Sequence, residues 1–256
     1  MTHAPAAIAA LADELSSLDL EARLQRVARF AGRKVFTTSL GIEDQIITAA
    51  IARSGTAGSI EIVTLDTGRL FDETRALIDE TERRFALAIE RYRPAPIDIE
   101  TYTARYGLNG FYDSVEARHA CCDIRKLRPL SLALDRAEIW ITGVRRGQSG
   151  ARAETPLVEW DAQRGLLKVN PLADVTLDAI NAYAARHDVP LNPLHARGYP
   201  SIGCEPCTRA IKSGEPERAG RWWWEQDQTR ECGLHVKEAA SPITPISSPK
   251  VQVPAT

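Results

Sequence analysis

Apolar positions along the chain follow two periods. Leu11, Leu15, Leu18, Leu24, Val27 and Phe30 recur near helical spacing over 5–31, which predicts one or two amphipathic helices. Lys34-Val35-Phe36-Thr37-Thr38 then reads as a buried strand, followed by Ser39-Leu40-Gly41-Ile42-Glu43-Asp44 and a helix through about Arg53. A second strand, Glu61-Ile62-Val63-Thr64-Leu65, ends at Asp66-Thr67-Gly68 and gives way to a charged helix over about 71–84. Strands are also expected at 88–92 and at 138–142, the latter ending before Gly143. Short strands alternating with helices predict an α/β fold, a mostly parallel twisted sheet with helices on both faces. Ligands of such sheets bind beyond the strand C-termini, where Ser39, Asp66 and Gly143 fall. After residue 186 the pattern weakens into loops rich in Pro and Gly. The stretch 239–256, with Pro242, Pro245, Pro249 and Pro254, reads as a disordered tail. No internal repeat is found.

Composition narrows this little. A chain of 256 residues suits one α/β domain with a tail better than two domains. At 44% hydrophobic, 26% charged and a formal net charge of −2, it has no general attraction for nucleic acid or an anionic membrane, so any basic site must be local. No apolar run approaches the ~20 residues of a membrane span. Asp13, Glu14 and Asp19 interrupt the Ala-rich N-terminus, so no signal peptide is expected. The reading is a cytoplasmic protein, in which clustered cysteines more often mean metal binding or catalysis than disulfides.

The five cysteines change the picture most. Cys121 and Cys122 are adjacent, Cys204 and Cys207 form a Cys-x-x-Cys pair, and Cys232 stands alone. The first four can enclose one metal centre. A Cys-x-x-Cys pair alone could be a redox dithiol or half of a zinc site. Adjacent cysteines are unusual for zinc, whereas an iron–sulfur cube offers a separate iron to each thiolate. Arg125, Lys126, Arg128 and Arg209 flank the cysteines and would offset thiolate charge, which speaks against four inert buried thiols. Cys232 precedes a glycine, with Arg230 and His235 close by to favour its thiolate; the alternative is an incidental cysteine.

Other segments are less specific. Ser39 before a helix could present N–H groups to a phosphate or be a plain helix cap. Leu65-Asp66-Thr67-Gly68 is a nucleotide-type turn or simply a turn closing a strand. In Gly143-Val144-Arg145-Arg146-Gly147-Gln148-Ser149, the two arginines suit phosphate or sulfate recognition by guanidinium forks. A solvated basic loop is the bland alternative.

Together these segments resemble the adenylylsulfate reductases of bacterial and plant-type sulfate assimilation, kin of the phosphoadenylylsulfate reductases. The resemblance runs over about 30–237 and includes Cys121-Cys122-Asp123-Ile124-Arg125-Lys126, Gly203-Cys204-Glu205-Pro206-Cys207-Thr208-Arg209 and Glu231-Cys232-Gly233-Leu234-His235. It implies an adenine nucleotide alpha-hydrolase-like fold. By the same resemblance Cys121, Cys122, Cys204 and Cys207 match the ligands of a [4Fe-4S] cluster, and Cys232 the nucleophile on a flexible C-terminal segment. Ser39, Gly41, Leu65, Thr67 and Gly143 match positions around the adenosine and its phosphate. Lys126, Arg152, Arg218 and Arg221 match cations that hold the phosphosulfate, with Arg145 and Arg146 added as substrate-binding from the loop reading. The expected organisation is N-terminal helices over 1–31, a nucleotide- and cluster-binding unit over 32–214, a mobile segment over 215–238 and a tail over 239–256.

The implied reaction is reduction of adenylylsulfate to sulfite and AMP through an S-sulfocysteine at Cys232. Reduced thioredoxin or a glutaredoxin-like thiol is the implied donor, with no nucleic-acid or membrane partner and a homo-oligomer left open. Many relatives carry a second serine beside the glycine of the Ser39 loop, and this chain does not, so a phosphoadenylylsulfate reductase is the nearest rival. An ATP pyrophosphatase of the same fold and a metal-dependent redox sensor are more distant ones.

Overall fold

The computed structural model describes residues 5–225. Two helices open it, α1 (Pro5–Ser16) and α2 (Leu20–Ala28), as the apolar spacing predicts. Asp19 caps α2 by accepting from the Ala22 N–H at 2.9 Å. Arg23, buried on α2, donates to both carboxylate oxygens of Asp174 at 2.6 and 2.9 Å and to the Pro171 carbonyl at 2.7 Å. That fork ties the N-terminal helices to the far end of the sheet.

The βα alternation follows: β1 (Arg33–Thr38), α3 (Ile42–Arg53), β2 (Glu61–Leu65), α4 (Asp72–Phe85) and β3 (Glu90–Tyr92). Then come α5 (Pro96–Tyr106), α6 (Val115–Cys122), α7 (Arg128–Ala133) and β4 (Ala137–Ile141). A hairpin of β5 (Val158–Asp161) and β6 (Leu166–Val169) and the helix α8 (Leu177–Arg186) complete the regular elements. The six strands lie in the order β3-β2-β1-β4-β6-β5, all parallel except β5, which pairs antiparallel with β6 at the edge.

Both faces of the sheet are buried, and the strand period of two divides the side chains between them. Phe36, Ile62, Ile139 and Ile141 pack in a core with α1, α2, α3 and α8. Val35, Val63 and Trp140 pack against Leu130, Ala133 and Leu134 at and just beyond the end of α7. The hairpin is the main addition to the sequence reading, which placed no strand after 142. Its four-residue strands are too short for a clear alternation, and Gly165, at φ +68°, makes the turn. Lys168 is drawn into β6 by an ion pair to Glu159 at 3.2 Å and the Trp140 ring at 5.2 Å. Chain direction across the sheet reverses outward from β1, with β2 on one side and β4 on the other, so a crevice opens beyond their C-terminal ends.

Candidate active site

The crevice begins where β1 turns into α3. Leu40 takes a left-handed conformation (φ 60°) and buries its side chain, which throws Ser39 toward the strand ends. Asp44, in the first turn of α3, accepts from the Ser39 N–H at 2.6 Å and from its hydroxyl at 2.7 Å. Burial pushes the Asp44 carboxyl up to about 6, against the opposing pull of those two hydrogen bonds. From β4, Gly143 comes so close that a Cβ there would overlap Asp44 Oδ1. Thr64 closes the β2 side by donating its hydroxyl to the Thr38 carbonyl at 2.8 Å.

Ser39, Gly41, Leu65, Thr67 and Gly143 all line this cleft, and so do the cations Lys126, Arg152, Arg218 and Arg221. Arg152 is steered by Gln148, whose Oε1 accepts from Arg152 at 2.6 Å and from the Arg145 N–H at 3.1 Å. Arg218 and Arg221 both point toward the Ser201 hydroxyl, at 3.5 and 3.4 Å. The cleft therefore has hydroxyls and backbone at the strand ends and four cations around its remaining wall.

Arg145 and Arg146 are placed differently from the sequence reading. The Arg145 guanidinium is buried, donating to Glu43 at 3.1 Å and to Glu217 at 3.4 Å, and neither arginine lines the cleft. Arg146 is exposed and donates to the Thr155 carbonyl at 2.8 Å. The forks serve carboxylates and a carbonyl here, so Arg145 holds Glu43 and Glu217 of the cleft wall instead of reaching into the cleft. Asp44 and Gln148 are among the cleft residues that the sequence did not single out. Each stood inside a segment already marked, but only the approach of β4 and of the 143–149 loop gives it a role.

The cysteines come together from two segments. α6 runs directly into a π-helical turn, Asp123–Leu127, and then into α7. Such wide turns recur at functional sites. Cys121 and Cys122 stand at the end of α6, and Arg125 and Lys126 lie in the wide turn. Cys204 and Cys207 bracket a single 3-10 turn, Glu205–Cys207. All four cysteines line one small cavity, with Arg69, Arg118, Arg125, Lys126, Phe111 and Trp222 around them. Thr67 Oγ1 lies 3.3 Å from Cys204 Sγ, and Arg125 Nη1 donates to the Thr67 carbonyl at 2.6 Å. Burial pushes the Cys207 thiol up to about 12, helped by neighbouring Cys204 and eased by Lys126 and Arg221. Cys121 is raised as well, again chiefly by burial. Among the described residues no three or more His, Cys, Asp and Glu side chains are grouped so as to hold a metal ion.

The segment that leads out of the cleft clamps this cavity. Arg209 N–H donates to the Gly220 carbonyl at 3.0 Å, and Trp222 N–H to the Cys207 carbonyl at 3.2 Å. A buried ion pair of Arg118 and Glu225, at 2.5 Å, fixes the last described turn onto α6. Lys126 and Cys204 belong to both hollows, lining the cleft and the cysteine cavity alike. Cys232 and the tail expected over 239–256 lie outside the described residues.

A crevice beyond the ends of parallel strands shares a wall with a four-cysteine cavity, and sequence comparison gives the family. The family model described as the phosphoadenosine phosphosulfate reductase domain matches residues 33–210, and the chain belongs to that family. The adenosine 5'-phosphosulfate reductase of Rhizobium meliloti is 64% identical over 236 residues, covering 92% of this chain and 88% of that protein. The protein of that name from Sinorhizobium fredii (strain USDA 257) is 64% identical over 239 residues, covering 93% of this chain and 94% of its own. The crystal structure of the phosphoadenylyl-sulfate reductase of Candida auris, a phosphate complex, superposes with a TM-score of 0.68 at 22% identity. It covers 82% of this chain and 99% of that one, and supports the fold. None of the described helices is long and apolar enough to cross a membrane.

Proposed function

We propose that this protein reduces adenylylsulfate to sulfite and AMP in sulfate assimilation, with Cys232 as the nucleophile. The observation that carries the reading is the shared wall: Lys126 and Cys204 join a nucleotide-type cleft to a cavity of four cysteines. The names of relatives 64% identical over nine-tenths of the chain supply the substrate.

The sulfur of adenylylsulfate is held in a mixed anhydride with phosphate. Cys232 thiolate forms a bond to that sulfur, the sulfur–oxygen bond to phosphate breaks, and AMP leaves with the electron pair. This is covalent catalysis with a good leaving group. An anion is attacking an anion, so the step needs fixed positive charge, which Lys126, Arg152, Arg218 and Arg221 supply around the cleft. Ser39, Gly41, Leu65, Thr67 and Gly143 hold the nucleoside and its phosphate. A donor thiolate, from reduced thioredoxin or a glutaredoxin-like protein, then attacks Cys232 Sγ and expels sulfite. The donor's second thiol resolves the mixed disulfide, so two thiols are oxidised and one sulfate-level sulfur is reduced. The donor must reach the Cys232 adduct for this second step.

Four soft sulfur donors lining one cavity among four cations fit an iron–sulfur centre. Cys121, Cys122, Cys204 and Cys207 would hold a [4Fe-4S] cluster, which supplies a fixed charge and a rigid frame beside Lys126. The two electrons come from the donor thiols. A cytoplasmic setting, where such thiols stay reduced, suits this chemistry.

Sulfite release from adenylylsulfate with reduced thioredoxin tests the reading, run beside phosphoadenylylsulfate. A kcat/KM that favours adenylylsulfate is expected; a preference for the other nucleotide makes the chain a phosphoadenylylsulfate reductase, and no sulfite from either removes the proposal.

A further inference from the structure

Tyr102 is the only residue of α5 that is fully buried, at 3% exposure, and its hydroxyl oxygen is buried without a hydrogen-bond partner. Buried tyrosine hydroxyls nearly always find a partner, because an unmade bond leaves the full cost of desolvating the group. The ring is fixed against Tyr106, with centroids 5.3 Å apart. On one side the hydroxyl faces bare backbone, since a Cβ on Gly110 would stand 3.6 Å from it. On the other it faces the end of α6 and the wide turn after it. The Cys121 sulfur lies beside the phenol on that side. A phenol hydroxyl carries one O–H, which it can donate to a thiolate.

Cys121 is the one cysteine of the four that is only half-buried. It has the most to gain from a side chain that fixes its sulfur. Nothing in the nucleotide reaction uses Tyr102, and it lines neither the cleft nor the cysteine cavity.

We propose that Tyr102 is a positioning residue whose hydroxyl donates to Cys121 Sγ and so orients the most exposed thiolate ligand of the iron–sulfur centre. The proposal rests on the cluster reading above. Hydrogen bonds to charged sulfur orient ligands and tune clusters. Loss of this one should leave the centre assembled but less tightly held.

The test compares anaerobic holoprotein of wild type and Tyr102→Phe, which keeps the ring and its packing. Iron and sulfide content, the resonance Raman Fe–S(Cys) bands in H2O and D2O, and the rate of iron loss to a chelator are measured. The variant is expected to load normally, to shift an Fe–S(Cys) band, to lose the D2O sensitivity of that band, and to release iron several-fold faster. A fully loaded variant with wild-type bands and release rate overturns the contact alone. Wild-type protein without iron and sulfide overturns the cluster reading and the contact together.

Discussion

Asp44 takes both hydrogen-bond donors of Ser39, its N–H at 2.6 Å and its hydroxyl at 2.7 Å, at the mouth of the cleft. The Ser39 loop is thus closed by a carboxylate of its own, beneath the position where an anionic substrate is proposed to lie. The Asp44 carboxyl, raised to about 6 from 3.8, binds more protons in the folded than in the unfolded chain. Stability contributed by the protonated form is therefore present at low pH and lost as pH rises from about 4 to 6. The cost at neutral pH is on the order of 3 kcal/mol. Asp44→Asn, which cannot ionise, should flatten the stability profile across that window in a pH series of anaerobic urea melts. A profile as steep as wild type would show that Asp44 is not the titrating group.

Gly143 admits no side chain without displacing that carboxylate. Asp44 cannot swing aside except by giving up Ser39, so Gly143→Ala should be destabilising by about 1–3 kcal/mol. It should also raise KM for the nucleotide. Thermal melting and steady-state kinetics read the two effects, and an alanine variant with unchanged KM would mean that the loop adapts.

Arg145 and Arg146 are neighbours with opposite fates. Arg145→Ala strands the buried Glu43 and the half-buried Glu217 and should cost about 3–5 kcal/mol. Glu217 is already pushed upward by burial, and would be more so without its guanidinium. Arg146→Ala, on an exposed side chain, should stay within about 0.5 kcal/mol of wild type. Denaturant melts of the two variants separate them; equal losses would contradict the buried pairing.

Much of this was visible in the chain. Short apolar runs ending at Thr38, Leu65 and Thr142 located Ser39, Asp66 and Gly143 beyond the C-terminal ends of a parallel sheet, and the strands end at Thr38, Leu65 and Ile141. The cysteine spacing picked out four residues that the fold carries to one cavity. Arg145 was read as an anion fork because its partners lie far away in sequence: Glu43 on α3 and Glu217 beyond the cysteine loop. The β5–β6 hairpin escaped notice because Leu166-Leu167-Lys168-Val169 breaks its apolar run with a lysine, and only the Glu159 carboxylate and the Trp140 ring make that lysine tolerable. Tyr102 gave no signal at all, since one aromatic on a helix is ordinarily core.

Lys126 belongs to both hollows, which makes it the sharpest probe of their coupling. Lys126→Ala should slow formation of the sulfonated enzyme by about 10²-fold, the scale of losing one preorganised charge at a reacting centre. Iron content should stay at the wild-type value. Rapid-quench measurement of the adduct beside iron analysis checks this, and an unchanged rate would take Lys126 out of the chemistry.

The central claim is that Cys232 captures the oxidised sulfur of a nucleotide. Its most direct test is mass analysis of anaerobic, cluster-loaded protein mixed with adenylylsulfate in the absence of any thiol. The account predicts one sulfonate per chain on the peptide carrying Cys232, removed on adding reduced thioredoxin with release of sulfite. Loaded protein that stays unmodified at Cys232 would contradict it.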